Sequence, residues 1–199
     1  MTAGVRTPEK LGVKLAKLQL LRCSLERHRK KLEDLETDGL LKPEDLIFND
    51  DVADAAKLFM TDFAKFQDLL GRCIHIAMEH VFQQNMLPID AFANAHRIGI
   101  LPMNEEQWAG SRNLRNIYDH DYFLGGEETH SALKKALELS DLLLKAHENL
   151  NTFVEKKVPI SWRVSQRILE HREKQREQYL LSKRPRGIKN GRNRKNRQG

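Results

Sequence analysis

Four leucines near the start of the chain, Leu11, Leu18, Leu25 and Leu32, stand seven residues apart, with Leu15, Leu21 and Leu35 beside them. A helix of about 3.6 residues per turn lays such a series along one side, whereas a strand, whose side chains alternate, would scatter it over both faces. Thr7 before Pro8 supplies an N-cap ahead of a proline at the first helical position, and Gly39 marks the end. A helix this long is stable in water when other helices cover its apolar stripe.

The same step recurs along the chain. Asn49, Asp50 and Asp51 offer capping side chains for a second helix that runs to about Asn85. Its buried face is predicted as Val52, Ala56, Phe59, Phe63, Phe66, Leu70, Cys73, Ile74, Ala77 and Val81. Pro88 opens a short helix to about Arg97, and Gly99-Ile100-Leu101-Pro102 turns the chain. Asn104, three residues before Gln107, then starts a helix in a near relative of the capping box, and Gly125-Gly126 stops it. Residues 127–155 form a further helix with Leu133, Leu137, Leu144 and Phe153 inward, broken by Pro159. The stretch from Trp162 to Leu181 keeps a helical pattern but is densely charged. The expected fold is all-α: an antiparallel helical bundle over 1–157, a charged C-terminal helix over 158–182 and a disordered basic tail over 183–199.

The tail carries Lys183, Arg184, Arg186, Lys189, Arg192, Arg194, Lys195 and Arg197 and no acid, so the net charge of +6, less these eight, leaves minus 2 for residues 1–182. With Ile188 as its one aliphatic residue it cannot bury enough surface to offset its ordering entropy. A cationic arm of this kind binds phosphates by counterion release, and these eight residues are candidate RNA contacts. Cys23 and Cys73 lack any CxxC or Cys/His ligand spacing and read as small core residues of a reducing compartment. The eight histidines are scattered, and His28, His75, His80, His96, His130, His147 and His171 read as exposed or hydrogen-bonded rather than metal-binding. No metal or cofactor is expected, and neither a P-loop, a dinucleotide fingerprint nor a nucleophile elbow occurs. The N-terminal residues are charged from Arg6 onward and no apolar run reaches about 18 residues, so a soluble cytoplasmic protein is expected, without a membrane partner.

Chemical content concentrates between Ser111 and Tyr122, where Arg115-Asn116-Ile117-Tyr118-Asp119-His120 sets a cation, an amide and an imidazole within six residues, followed by the phenol of Tyr122. In an ideal helix Arg115 and Tyr122 lie about 20 degrees apart, but Arg115 and His120 diverge by about 140 degrees. The pair converges on one phosphate if the helix unwinds near His120, or if a second copy supplies its own pair across a two-fold axis.

This segment resembles the Arg-x4-6-His signature of the HEPN superfamily, and Arg115-x4-His120-x-Tyr122 is similar to the Arg-x4-His-x-Tyr form of the HepT-like toxins. Ile74 to Phe123 follows a similar layout of helix, Pro-initiated short helix, Ile-Leu-Pro turn and motif helix. The resemblance implies a metal-independent endoribonuclease of a toxin and antitoxin pair, acting as a homodimer. His120 would serve as general base or acid on the ribose 2′-hydroxyl or the leaving 5′-oxygen, and Arg115 would hold the phosphate, with Asn116 and Asp119 in support. It further implies a minimal nucleotidyltransferase antitoxin as partner, with Tyr122 as the residue it adenylylates. The chain departs from the family pattern in flanking His120 with Asp119 and Asp121, carboxylates that favour the imidazolium and repel a polyanion. The alternative is a non-catalytic HEPN module that binds nucleic acid or a nucleotidyltransferase.

Overall fold

A computed structural model describes residues 8–120 and 125–158, without the side chains of residues 8, 9 and 115–120. Among the described residues the fold is all-α, with helices α1 (Pro8–Thr37), α2 (Asp45–Phe48), α3 (Asp50–Phe82), α4 (Pro88–Arg97), α5 (Glu105–His120) and α6 (Gly126–Lys157). The expected Thr7 cap, the helix of 159–182 and the basic tail lie outside the described residues.

The leucine series does what its spacing requires. Leu11, Leu18, Leu25 and Leu32 are all fully buried, and α1 packs along α3. Each such side chain contributes roughly 1.5–3 kcal/mol on leaving water. Helix α3 is the axis of the bundle, since α1, α2, α4, α5 and α6 all pack against it. Its predicted stripe is buried from Val52 to Ala77, with Val81 half-buried, but so are Ala55, Met60, Gln67, Gly71, Ile76 and Met78 on its other sides. It stops at Phe82 rather than near Asn85, because Gln83 takes a left-handed conformation (φ 52°) and returns its N–H to the Glu79 carbonyl.

Several expectations need correction. Asn49 stands at the N-cap of α3, but its side chain makes no capping bond. The connector holds the short helix α2, which buries none of its own residues. Cys23 is exposed, as it lies on the outer side of α1, while Cys73 is buried and its thiol is pushed up to about 12 by that burial. On α6 the inner face is Leu133, Ala136, Leu139, Ser140, Leu143, Ala146, His147, Leu150 and Val154, whereas Leu137, Leu144 and Phe153 are half-buried. Small and polar members of the true stripe concealed its phase from a reading guided by large apolar residues.

A charged seam joins α1 to α6. Arg22 pairs with Glu148 at 3.0 Å, Arg29 with Asp141, and Glu36 with Lys134 at 3.3 Å. Each step of seven forward in α1 is matched by a step of seven backward in α6, so the two helices run antiparallel in a heptad register. Pairs this exposed contribute little stability. Their repeat fixes which turn of α6 faces which turn of α1.

At the inner edge of this seam sits His147, wholly buried, with its ring edge-on to Phe66 at 5.8 Å between centroids. Its Nδ1 lies 3.5 Å from an Arg22 guanidinium nitrogen and its Nε2 lies 3.1 Å from the Asn151 amide. Both neighbours can only donate through these nitrogens, and the closer contact has Nε2 accepting from Asn151 Nδ2. Burial, reinforced by the Arg22 charge, lowers the His147 pKa to about 4.

The unfolded imidazole titrates near 6.5, so above that pH both states are neutral and the stability is whole. As pH falls from 6.5 toward 4 the unfolded chain takes up a proton that the folded chain refuses, and stability is lost. Between pH 7.5 and pH 5 this residue alone is expected to remove about 2 kcal/mol. Urea unfolding at the two pH values measures it, and His147→Leu should remove that part of the pH dependence; an unchanged slope in the variant would place its origin elsewhere.

Candidate functional site

Helix α5 carries the motif, and its start is held by the reciprocal pair that the sequence suggests. The Gln107 N–H donates to Asn104 Oδ1 at 2.8 Å, and the Asn104 N–H donates to Gln107 Oε1 at 3.0 Å. The turn ahead of it is fixed from two sides. Asn149 of α6 donates to the carbonyls of Gly99 and Ile100, and His96 Nδ1 donates to that of Leu101 at 3.1 Å. Along α5, Trp108, Ser111 and Leu114 are buried against the bundle, and the Ser111 hydroxyl donates to the Trp108 carbonyl at 2.7 Å.

Where α5 meets α3 and α4 there is an open cleft of about 210 Å³. Helix α3 lines it with Gln67, Asp68, Gly71, Arg72 and His75, helix α4 with Pro88 and Phe92, and helix α5 with Trp108 and Arg112. Gly71 makes this geometry possible, since a Cβ there would come within 3.1 Å of Trp108 Cζ2 and 3.4 Å of Phe92 Cζ. The two rings therefore settle against the bare α3 backbone and against each other, with centroids 4.6 Å apart. His75 Nε2 donates to the Met86 carbonyl at 2.8 Å, with Glu79 Oε1 3.4 Å away, and this contact ties the entry of α4 to α3.

The polar groups of the cleft divide into two layers. At the mouth Arg72 pairs with Asp68 at 2.9 Å, and Arg112 is exposed. Deeper in, Gln67 is 2% exposed and Trp108 is 6% exposed. Trp108 Nε1 is the one buried side-chain nitrogen or oxygen among the described residues left without a hydrogen-bond partner, and the Gln67 amide lines the cleft beside it. A buried donor left unpaired costs about 1–3 kcal/mol, so the indole is a departure from ordinary packing.

Arg115, Asn116, Asp119 and His120 lie on α5, with side chains outside the described residues, and Tyr122 and the eight tail cations lie outside them altogether. The α5 backbone is helical through His120. Between Arg115 and His120 there is thus no unwinding, and the two positions diverge by about 140 degrees around the axis. Arg115 follows Trp108 by seven residues, which returns it to within about 20 degrees of the same side, some 10 Å along the helix. The motif arginine and the cleft thus share one side of α5.

Sequence reasoning missed the cleft residues Gln67, Gly71, Arg72 and Arg112. The available signal was Gly71, a lone glycine inside a long helical pattern, which implies a close approach by another element. No group of three His, Cys, Asp or Glu side chains able to hold a metal occurs among the described residues. No helix among them is long and apolar enough to cross a membrane. Comparison with family models, with curated proteins and with solved structures finds no match to the chain.

Because the Asn104 and Gln107 pair is what starts α5, Asn104→Ala should lower stability by about 1 kcal/mol. A urea unfolding midpoint equal to that of the unsubstituted chain would mean that the turn alone holds the helix.

Proposed function

We propose that this protein is an endoribonuclease of the HEPN type, acting without a metal through a site that two copies of the chain complete. The observation that carries the reading is the register of α5. In an unbroken helix position 115 falls on the same side as Trp108 and position 120 about 140 degrees away, which supports a pocket that takes its arginine from one copy and its imidazole from the other. A two-fold axis beside α5 sets the His120 of one copy opposite the Arg115 of the other.

In such a pocket the imidazole takes the proton of a ribose 2′-hydroxyl as its oxygen attacks the adjacent phosphorus. The P–O bond to the 5′-oxygen breaks, and that oxygen gains a proton from water or from the second imidazole. The products are a 2′,3′-cyclic phosphate and a 5′-hydroxyl. The guanidinium of Arg115 stabilises the charge that builds on the phosphoryl oxygens, a service its planar fork performs bidentately. Asn116 and Asp119 hold these two groups in position. The tail cations Lys183 to Arg197 add sequence-independent RNA affinity.

Within the same reading the chain is the toxin of a pair. A minimal nucleotidyltransferase partner neutralises it by adenylylating Tyr122, where the added phosphodiester repels and blocks the RNA backbone.

The composite site has a decisive test. Arg115→Ala and His120→Ala should each abolish metal-free cleavage of single-stranded RNA. Mixing the two inactive proteins in equal amounts should restore about a quarter of the original rate, because half the dimers are mixed and each has one intact site of two. Cleavage that survives either substitution refutes the catalytic assignment, and inactive proteins that do not complement place both residues of a site in one chain.

A further inference from the structure

The cleft between α3, α4 and α5 has features that neither packing nor the proposed chemistry at Arg115 and His120 uses. Its deep part presents an unpaired indole N–H and the carboxamide of Gln67, both on residues more than nine-tenths buried, beside the packed rings of Phe92 and Trp108. A carboxamide offers a donor and an acceptor side by side, and the indole adds a donor. The complementary ligand is therefore flat, carries a mixed edge of acceptors and donors, and enters between apolar walls. The exposed Arg72 and Arg112 at the mouth favour a ligand with an anionic group outside that flat part. A volume of about 210 Å³ falls below the roughly 300–1,000 Å³ of pockets for drug-sized ligands, which suits one heteroaromatic ring system rather than a longer molecule.

We infer that this cleft is a nucleotide-binding site in which one base is held by Gln67 and Trp108 against Phe92 while Arg72 and Arg112 take its phosphate. Unstacked bases are recognised in this way, through aromatic or guanidinium planes and hydrogen bonds to the base edge. Trp108 Nε1 is closed to solvent in the resting protein, so a base reaches it as the side chains around it shift. The position of Arg115 about 10 Å farther along the same side of α5 makes the cleft a base-selecting subsite for a strand whose next phosphates lie at the motif. In this last respect the inference rests on the ribonuclease reading; the binding itself does not.

The same features separate the effect on affinity from the effect on stability. Gln67 is buried on the cleft wall, and Gln67→Met keeps its shape and apolar contacts, so the melting temperature should stay within a few degrees. The same change should weaken nucleotide binding at least tenfold. A residue that served packing alone would show neither loss of affinity nor this divergence.

The experiment uses the full chain with Trp162→Phe, so that Trp108 is the one remaining tryptophan reporter, and with His120→Ala, so that no strand is cut during the titration. The four nucleoside 5′-monophosphates, ribose 5-phosphate, inorganic phosphate and a short single-stranded RNA are titrated separately while Trp108 fluorescence is read. Saturable quenching by at least one mononucleotide is expected, with ribose 5-phosphate and phosphate at least tenfold weaker, and with Gln67→Met and Arg112→Ala each reducing affinity. Quenching by the RNA but by no free mononucleotide, still lost in Gln67→Met, identifies the strand as the source of the base and also supports the site.

Equal binding of ribose 5-phosphate and the mononucleotides would reduce the cleft to an anion site and overturn the inference. So would the absence of quenching by every ligand, or affinity that Gln67→Met leaves intact. Failure of RNA cleavage by the unsubstituted protein, with mononucleotide binding retained, would remove the ribonuclease reading and leave this site standing.

Discussion

Every part of this bundle depends on the burial of α3, a helix of 33 residues with all five other helices against it. A helix enclosed in this way cannot present one apolar stripe; it must be apolar or small nearly all round. That accounts for Ala55, Met60, Ile76 and Met78 beyond the stripe of phenylalanines. It also means that each polar residue on α3 that faces inward requires a local explanation. Glu79 lies near His75, and His75 reaches the Met86 carbonyl, so the two polar groups near the end of α3 position the entry to α4. Gln67 stands on the wall of a cleft beside the unpaired Trp108 Nε1, and that juxtaposition is the physical basis for reading the cleft as a site.

The legibility of the fold followed the size of the side chains. Leucines at seven-residue spacing located α1 and its buried face, and phenylalanines did the same for one side of α3, because large apolar groups dominate both the pattern and the energy. Capping chemistry was legible at Asn104, whose partner Gln107 stands at the right distance, but not at Asn49, which has the same side chain and makes no capping bond. The phase of α6 was misread because Ala136, Ser140, Ala146 and His147 occupy core positions without announcing themselves. A neutral histidine in a core is invisible in sequence, since its burial depends on Arg22 and Phe66, residues far away in the chain. The seam of Arg22, Arg29 and Glu36 with Glu148, Asp141 and Lys134 was equally hidden: each partner is an ordinary surface charge until the two helices are laid antiparallel.

The candidate site was legible to a different degree. The Arg115 and His120 positions were singled out by chemistry and spacing, and the geometric difficulty between them was also visible, since five residues of helix separate two side chains by more than a third of a turn. The continuity of α5 through His120 resolves one branch of that difficulty and leaves the other, in which a second copy completes the pocket, as the form the proposal takes. The cleft beside it was not legible, because its nine lining residues come from three helices and span 46 positions of the chain, from Gln67 to Arg112.

Helix α5 is the element on which both proposed sites converge, and this places a mechanical demand on it. Its buried residues Trp108, Ser111 and Leu114 hold one side against the bundle, so the helix cannot rotate without losing the aromatic contact with Phe92. The Asn104 and Gln107 pair and the Asn149 contacts fix its start. The ring packed on the indole, Phe92, belongs to α4, whose entry hangs on His75. On the proposed reading, adjustment for a ligand falls to the ten-residue α4, the shorter of the two helices, rather than to α5. The spacing between the cleft and Arg115 is then set by one rigid helix, as any base recognised at the first position requires if its neighbouring phosphate is to meet the second.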